Sequence, residues 1–225
     1  MLHVVRAFMG PGGSGGNPLG VFVDGGEIGS ERRQAVAHDL DFSETVFVDS
    51  IDGGVARIAI HTPAVELPFA GHPTLGTAWL LWNLGEDVSV IRCVAGDVAA
   101  WQEGELAWIR ARPGWVHGIP EPDRLATAAA VDSIVPPAMG EPGHYVWAWE
   151  DQSEGRVRAR FFPTDLGIAE DEATGAAAVL LGAELGRDLT IRQGVGSEIH
   201  VRPRGDGSVD VGGRVELTEH RAHGG

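Results

Sequence analysis

Two stretches of this chain read as helices that are apolar on nearly every side, and a helix of that kind has to be enclosed by other structure. AGHPTLGTAWLL (70–81) and AEDEATGAAAVLL (169–181) superpose on Gly76 and Gly175. The superposition sets His72 opposite Asp171, Thr77 opposite Ala176 and Ala78 opposite Ala177, with a polar residue four positions before a glycine in each stretch. An internal repeat on two core helices predicts two similar halves, each a curved sheet wrapped round one central helix.

The rest of the chain supplies the sheets. Alternating, β-branched runs at Leu2–Phe8, Leu19–Val23, Thr45–Val48, Val55–His61, Val88–Cys93, Val98–Trp101 and Leu106–Arg112 read as strands. Ser30–Leu40 reads as an outer helix with Ser30 as its N-cap, and Pro73–Leu84 as the first core helix. After the turn-rich Pro113–Asp123, the stretch RLATAAAVD is helix-like. YVWAWE and RVRARFF then form a hairpin across DQSEG, with Val146 and Ala148 facing one way and Trp147 and Trp149 the other. The second core helix, Thr174–Gly186, precedes three further strands, LTIRQG, EIHVRP and SVDVGG. The expected division is 1–112 and 113–225.

A helix start presents unpaired backbone N–H groups and a partial positive charge, so it can hold a carboxylate or a developing oxyanion. Gly71, Gly76 and Gly175 let a ligand or a neighbouring strand come close to the backbone. If the two halves face each other, His72 and Asp171 stand on opposite walls of one cleft, suited to adding and removing protons. The plainer reading makes Asp171 an N-cap and His72 a helix cap that happens to be an imidazole.

Composition narrows the chemistry. All 17 basic residues are Arg, so Schiff-base and Walker-type lysine chemistry is closed. The lone Cys93 excludes an internal disulfide, a Cys-rich zinc site and two-thiol mechanisms. A formal charge of -15 argues against nucleic acid or an anionic membrane as the partner and favours a small molecule or a protein. The nine histidines are scattered, the closest pair being His220 and His223 near the C-terminus, so no metal is expected. The N-terminus lacks a signal-peptide pattern and no window is long and apolar enough to span a bilayer, which leads us to expect a cytoplasmic protein.

GGNPLGVFVD (15–24), FSETVFV (42–48), HTPAVELPFAGHPTLGTA (61–78), EDEATGAAA (170–178) and IRQG (191–194) occur in that order across most of the chain. Together they resemble the successive motifs of the PhzF family of phenazine-biosynthesis-like proteins, which have the diaminopimelate epimerase fold. The resemblance implies an α+β chain of two pseudo-symmetric domains, each a β-barrel-like sheet around a central helix, with the active site between them. It further implies a cofactor-independent isomerase or epimerase acting on a small carboxylate-bearing substrate, and a homodimer. Glu44 of the SET motif inherits the role of the acid/base that moves the proton, assisted by His72 and Asp171. Asn17, Gly71, Thr74, Thr174, Gly175 and Ala176 are the expected substrate-binding positions. Glu44 fits its role only if burial beside Phe42 and the TVFV run lifts its proton affinity toward neutrality.

The departures from the family pattern bear on the substrate. Ala176 stands where the family usually has a serine, the segment after IRQG lacks the family's arginine-containing run, and the chain is shorter than typical members. A catalytically silent small-molecule-binding protein of the same fold is therefore the alternative, and a hydrolase or lyase using Glu44 with a water ranks third.

Overall fold

The computed structural model of the chain describes residues 1–222. Fourteen strands are present among them: β1 (Leu2–Met9), β2 (Gly15–Phe22), β3 (Thr45–Asp52), β4 (Val55–His61), β5 (Glu66–Leu67), β6 (Val90–Cys93), β7 (Gly96–Glu103), β8 (Leu106–Ala111), β9 (Asp123–Arg124), β10 (His144–Asp151), β11 (Arg156–Phe162), β12 (Leu189–Gln193), β13 (Ser197–Pro203) and β14 (Val209–Arg221). Four α-helices accompany them: α1 (Ser30–Leu40), α2 (Gly71–Asn83), α3 (Ala128–Asp132) and α4 (Gly175–Leu185). This is the α+β class, and among the described residues no helix is long and apolar enough to cross a membrane.

The chain divides into two compact units. Unit 1 contains Met1–Ala7, Pro18–Arg110 and the segment from Arg214 on; unit 2 contains Phe8–Asn17 and Ala111–Gly213. A single cut after 112 assigns Phe8–Asn17 and the last strand differently, because β1, β2 and β14 each contribute residues to both units. Phe8, where the assignment changes, is fully buried and has φ 64°. That left-handed conformation is rare for a bulky side chain.

In unit 1 the strands run in the order β1-β2-β3-β4-β6-β7-β8-β14, and β14 also pairs with β1, so the hydrogen-bonded path returns to its start. Closure of this kind removes the exposed edges of a sheet. Helix α2 is the enclosed element, with ten of its residues from Gly71 to Leu81 buried. In unit 2 the path is β14-β13-β12-β11-β10-β9, and α4 packs on β13. The hairpin of β10 and β11 forms as expected, with Tyr145 opposite Phe161 and Trp147 opposite Ala159. Val146 and Ala148 pack with Val131 and Phe162 in one cluster, while Trp147 meets Trp149 edge-on at 5.3 Å, so both faces are covered.

Several boundaries differ from expectation. Ser30 is the first residue of α1 rather than its cap; Gly29 occupies the cap position and offers no side-chain hydrogen bond. In RLATAAAVD only Ala128–Asp132 is helical, capped by Thr127 Oγ1 accepting from the Ala130 N–H, while Asp123 and Arg124 pair with β10. Helix α2 begins at Gly71, two residues before Pro73. The helix starts also reset the register of the repeat: Ala70-Gly71-His72 corresponds to Thr174-Gly175-Ala176, so His72 does not correspond to Asp171. Gly76 and Gly182 each admit a neighbouring strand, although they lie two positions out of register once the helix starts are aligned. A Cβ on Gly76 would lie 2.9 Å from Leu19 Cδ2, and one on Gly182 would overlap Val201 Cγ1 outright.

Gly182→Ala is therefore expected to destabilise the protein by about 1–3 kcal/mol through overpacking, although alanine in an exposed helix would gain about 1 kcal/mol. Urea unfolding monitored by tryptophan fluorescence checks the sign.

Candidate active site

Glu44 is the residue immediately before β3, and His72 is the second residue of α2. Both belong to unit 1. Glu44 Oε2 lies 3.4 Å from His72 Nε2, and the two side chains are 17% and 4% exposed. No hydrogen bond joins these two buried atoms. Burial is the main influence on Glu44 and pushes its pKa up to about 7, opposed by a hydrogen bond from the Ser43 side chain. A carboxylate taken out of water beside a histidine, with no arginine or lysine neutralising it, has the proton affinity that acid/base work at neutral pH requires.

His72 is not a cap. The cap position of α2 is Ala70, with no side-chain hydrogen bond, and the imidazole instead faces Glu44. Gly71 is the buried first residue of the helix. Pro73 carries no N–H, so it leaves one fewer donor in the first turn. The buried Thr74 hydroxyl donates to the Ala70 carbonyl at 2.7 Å, which ties the first turn together and commits its proton.

The remaining expected residues lie in unit 2, where they form one hydrogen-bonded group. Asp171 Oδ1 accepts from Asn17 Nδ2 at 2.8 Å, and Oδ2 accepts from the Thr174 hydroxyl at 2.5 Å. Asn17 Nδ2 also donates to the Ala173 carbonyl at 3.0 Å. Asp171 is thus held through both oxygens and makes a bridge with Phe161, four residues before α4 begins. Thr174 occupies the cap position of α4 without an intrahelical side-chain bond, Gly175 is its buried first residue, and Ala176 is half-buried with only a methyl to offer.

One residue of this group carried no expected role. Gln193, fully buried at the end of β12, donates through Nε2 to Thr174 Oγ1 at 2.8 Å and to the Asp171 carbonyl at 2.9 Å, while its Oε1 is buried without a hydrogen bond. Its place in the IRQG motif was the available signal; a buried amide has a role only in relation to the partners it meets. The flanking acids are pinned as well. Glu170 pairs with Arg160 through two contacts of 2.8 and 2.7 Å, and Glu172 accepts from the Ser197 hydroxyl at 2.8 Å and from the Val195 N–H. Of the two terminal histidines, His220 stacks on His3 at 6.4 Å and His223 lies outside the described residues.

The model of the PhzC-PhzF family, phenazine biosynthesis-like protein, matches residues 6–110. The chain is 30% identical to a trans-2,3-dihydro-3-hydroxyanthranilate isomerase of Pseudomonas aeruginosa, over 92% of this chain and 94% of that one. Its fold is similar to that of a PhzF-family phenazine biosynthesis protein from Bacillus anthracis, with a TM-score of 0.79 at 18% identity, covering 97% and 96% of the two chains. A hydroxyproline epimerase from Agrobacterium vitis shares the fold more distantly, with a TM-score of 0.59 at 13% identity over 97% and 90%.

Two outcomes follow from this geometry. Glu44 binds its proton more tightly folded than unfolded, so its contribution to stability is fully present below about pH 4.5 and is lost as pH rises toward about 7. Glu44→Gln, which keeps the shape of the protonated group, should exceed the wild type in stability by up to about 3 kcal/mol above neutrality, with the difference fading toward pH 4.5. Urea denaturation across that window reads it. Thr174→Val removes the donor to Asp171 and the acceptor for Gln193, and should cost about 1–3 kcal/mol at all pH values in the same assay.

Proposed function

The chain belongs to the PhzF family of phenazine-biosynthesis-like proteins, and on that premise we propose that it moves a proton between positions of a small carboxylate-bearing substrate, with Glu44 carrying the proton and no cofactor. That it is an isomerase rests on its isomerase relatives. The observation that carries the finer reading is the buried Glu44, with a pKa near 7 and His72 Nε2 3.4 Å away.

The chemistry is a proton abstraction followed by a proton return. The Glu44 carboxylate takes a proton from an acidic C–H, and the resulting carboxylic acid gives it back at a second position or from the other side. With its pKa close to ambient pH, Glu44 holds appreciable amounts of both forms, which lets one group serve in both steps. His72 assists by orienting Glu44 or exchanging its proton. Asp171, with both oxygens accepting hydrogen bonds, suits an orienting role better than that of a mobile base. Each helix start, Gly71–Thr74 of α2 and Thr174–Ala177 of α4, offers backbone N–H groups suited to a carboxylate, because the helix dipole there favours negative charge. Ala176 lends no hydroxyl there, so binding at α4 falls to the backbone.

Ala176 also motivates the second reading, a protein of this fold that binds its ligand without turning it over. Incubation in deuterium oxide with a panel of amino acids, hydroxy acids and trans-2,3-dihydro-3-hydroxyanthranilate separates the two by mass spectrometry. The isomerase reading expects deuterium uptake that falls by at least about a hundredfold in Glu44→Gln while ligand binding persists. Exchange retained in that variant removes Glu44 from its role, and ligand-dependent stabilisation without any exchange favours the binding protein.

A further inference from the structure

The two units repeat a three-strand arrangement in which an antiparallel pair is joined by a parallel strand: β3 and β4 with β6 in unit 1, and β10 and β11 with β12 in unit 2. In both, an arginine of the middle strand stands in register with an arginine of the parallel strand, Arg57 with Arg92 and Arg158 with Arg192. Like charges side by side on a sheet repel, and a nearby anion relieves that repulsion. Unit 2 supplies one for each. Arg158 Nε donates to Asp132 at 2.7 Å and Arg192 Nε to Glu150 at 2.7 Å.

Unit 1 breaks this pattern at one position. Arg92 donates through Nε and Nη2 to the two oxygens of Asp97, at 2.5 and 2.7 Å. Arg57 is exposed and has neither a hydrogen bond nor an ion pair among the described residues. Asp97 feels its charge, but both oxygens of that carboxylate are already engaged by Arg92. The outer helices differ in the same sense: α3 ends in Asp132, which reaches Arg158, whereas α1 brings a third arginine, Arg33, already paired with Asp49 at 2.6 Å.

Arg33, Arg57 and Arg92 line one cavity of about 240 Å³, together with Ser30 at the start of α1 and the apolar Ile58 and Ala59. Asp49 and Glu66 also line it; the first is held by Arg33, and the second stands in register with His61 at the far end of β4. A guanidinium with no carboxylate bonded to it, beside two that are paired, is thus left in this cavity. It occurs where the equivalent position of the repeat has an acid.

We infer that this cavity binds a small phosphate-type oxyanion, the free ion or the phosphoryl group of a small molecule, in the place that Asp132 fills in unit 2. Arg57 is the principal ligand because its fork of N–H donors is uncommitted and matches the geometry of a tetrahedral oxyanion. Arg33 and Arg92 lie beside it in the same cavity. The site involves neither Glu44 nor His72.

Isothermal titration of the full chain with inorganic phosphate, at neutral pH and constant ionic strength set with chloride, tests it. Saturable binding that weakens at least about tenfold in Arg57→Gln, a loss of about 1.4 kcal/mol, supports the site. A parallel titration with phenyl phosphate reports whether the free ion or an ester is preferred. Absence of saturable binding of either probe to the wild type overturns the inference. So does binding of equal strength in Arg57→Gln, which would place the anion elsewhere.

Discussion

An α-helix that is apolar on every side cannot lie on a surface, and this constraint shapes both halves of the protein. Helix α2 is buried along most of its length and α4 over more than half of it, so each needs a sheet curved enough to cover it. Contact this close requires that some helix positions have no side chain. Gly76 admits Leu19 and Val5, and Gly182 admits Val201 and Val209. Interiors are packed to near-crystalline density, so these absent methyls set how near helix and sheet can lie. In unit 1 the sheet closes on itself through the pairing of β14 with β1, which ties the end of the chain to its beginning.

Enclosing α2 determines the environment of its first turn. Gly71, His72, Pro73 and Thr74 are all buried, and Glu44, which faces His72, is drawn out of water with them. Removing a carboxylate from water without a compensating cation raises its pKa, and here that single physical cause moves Glu44 into the range useful for proton transfer. The arrangement is destabilising above neutrality. Carboxylates perturbed by desolvation in this way cluster at functional sites.

The start of α4 is handled differently. Glu170, Asp171, Glu172 and Thr174 each accept or donate hydrogen bonds to partners distant in sequence, namely Arg160, Asn17, Ser197 and Gln193. A segment fixed at four of five consecutive positions has little freedom, and the helix start that follows it is correspondingly well placed. The two helix starts are thus unlike in chemistry although alike in fold: one faces a buried carboxylate, the other belongs to a polar network tied by hydrogen bonds. The repeated strands diverge in the same manner, with arginines fully compensated in unit 2 and one left uncompensated in unit 1.

The sequence by itself determined the elements whose signal is local. Apolar content around the full circumference marked α2 and α4, alternation marked the hairpin of β10 and β11, and the absence of lysine closed whole classes of chemistry before any fold was considered. The motifs around Glu44, His72 and Asp171 also stood out, but their relation to one another did not. Superposing the repeat on Gly76 and Gly175 paired His72 with Asp171, whereas the helix starts pair His72 with Ala176, because a glycine can serve as a first residue or as a packing contact and only the neighbouring strand distinguishes them. The identity of Ser30 as a first residue, the use of Gln193 as the clamp on Thr174, and the depth to which Glu44 is buried were decided by tertiary structure alone. Each depends on which distant atoms end up within a few ångströms, and desolvation and hydrogen bonding act over no greater range.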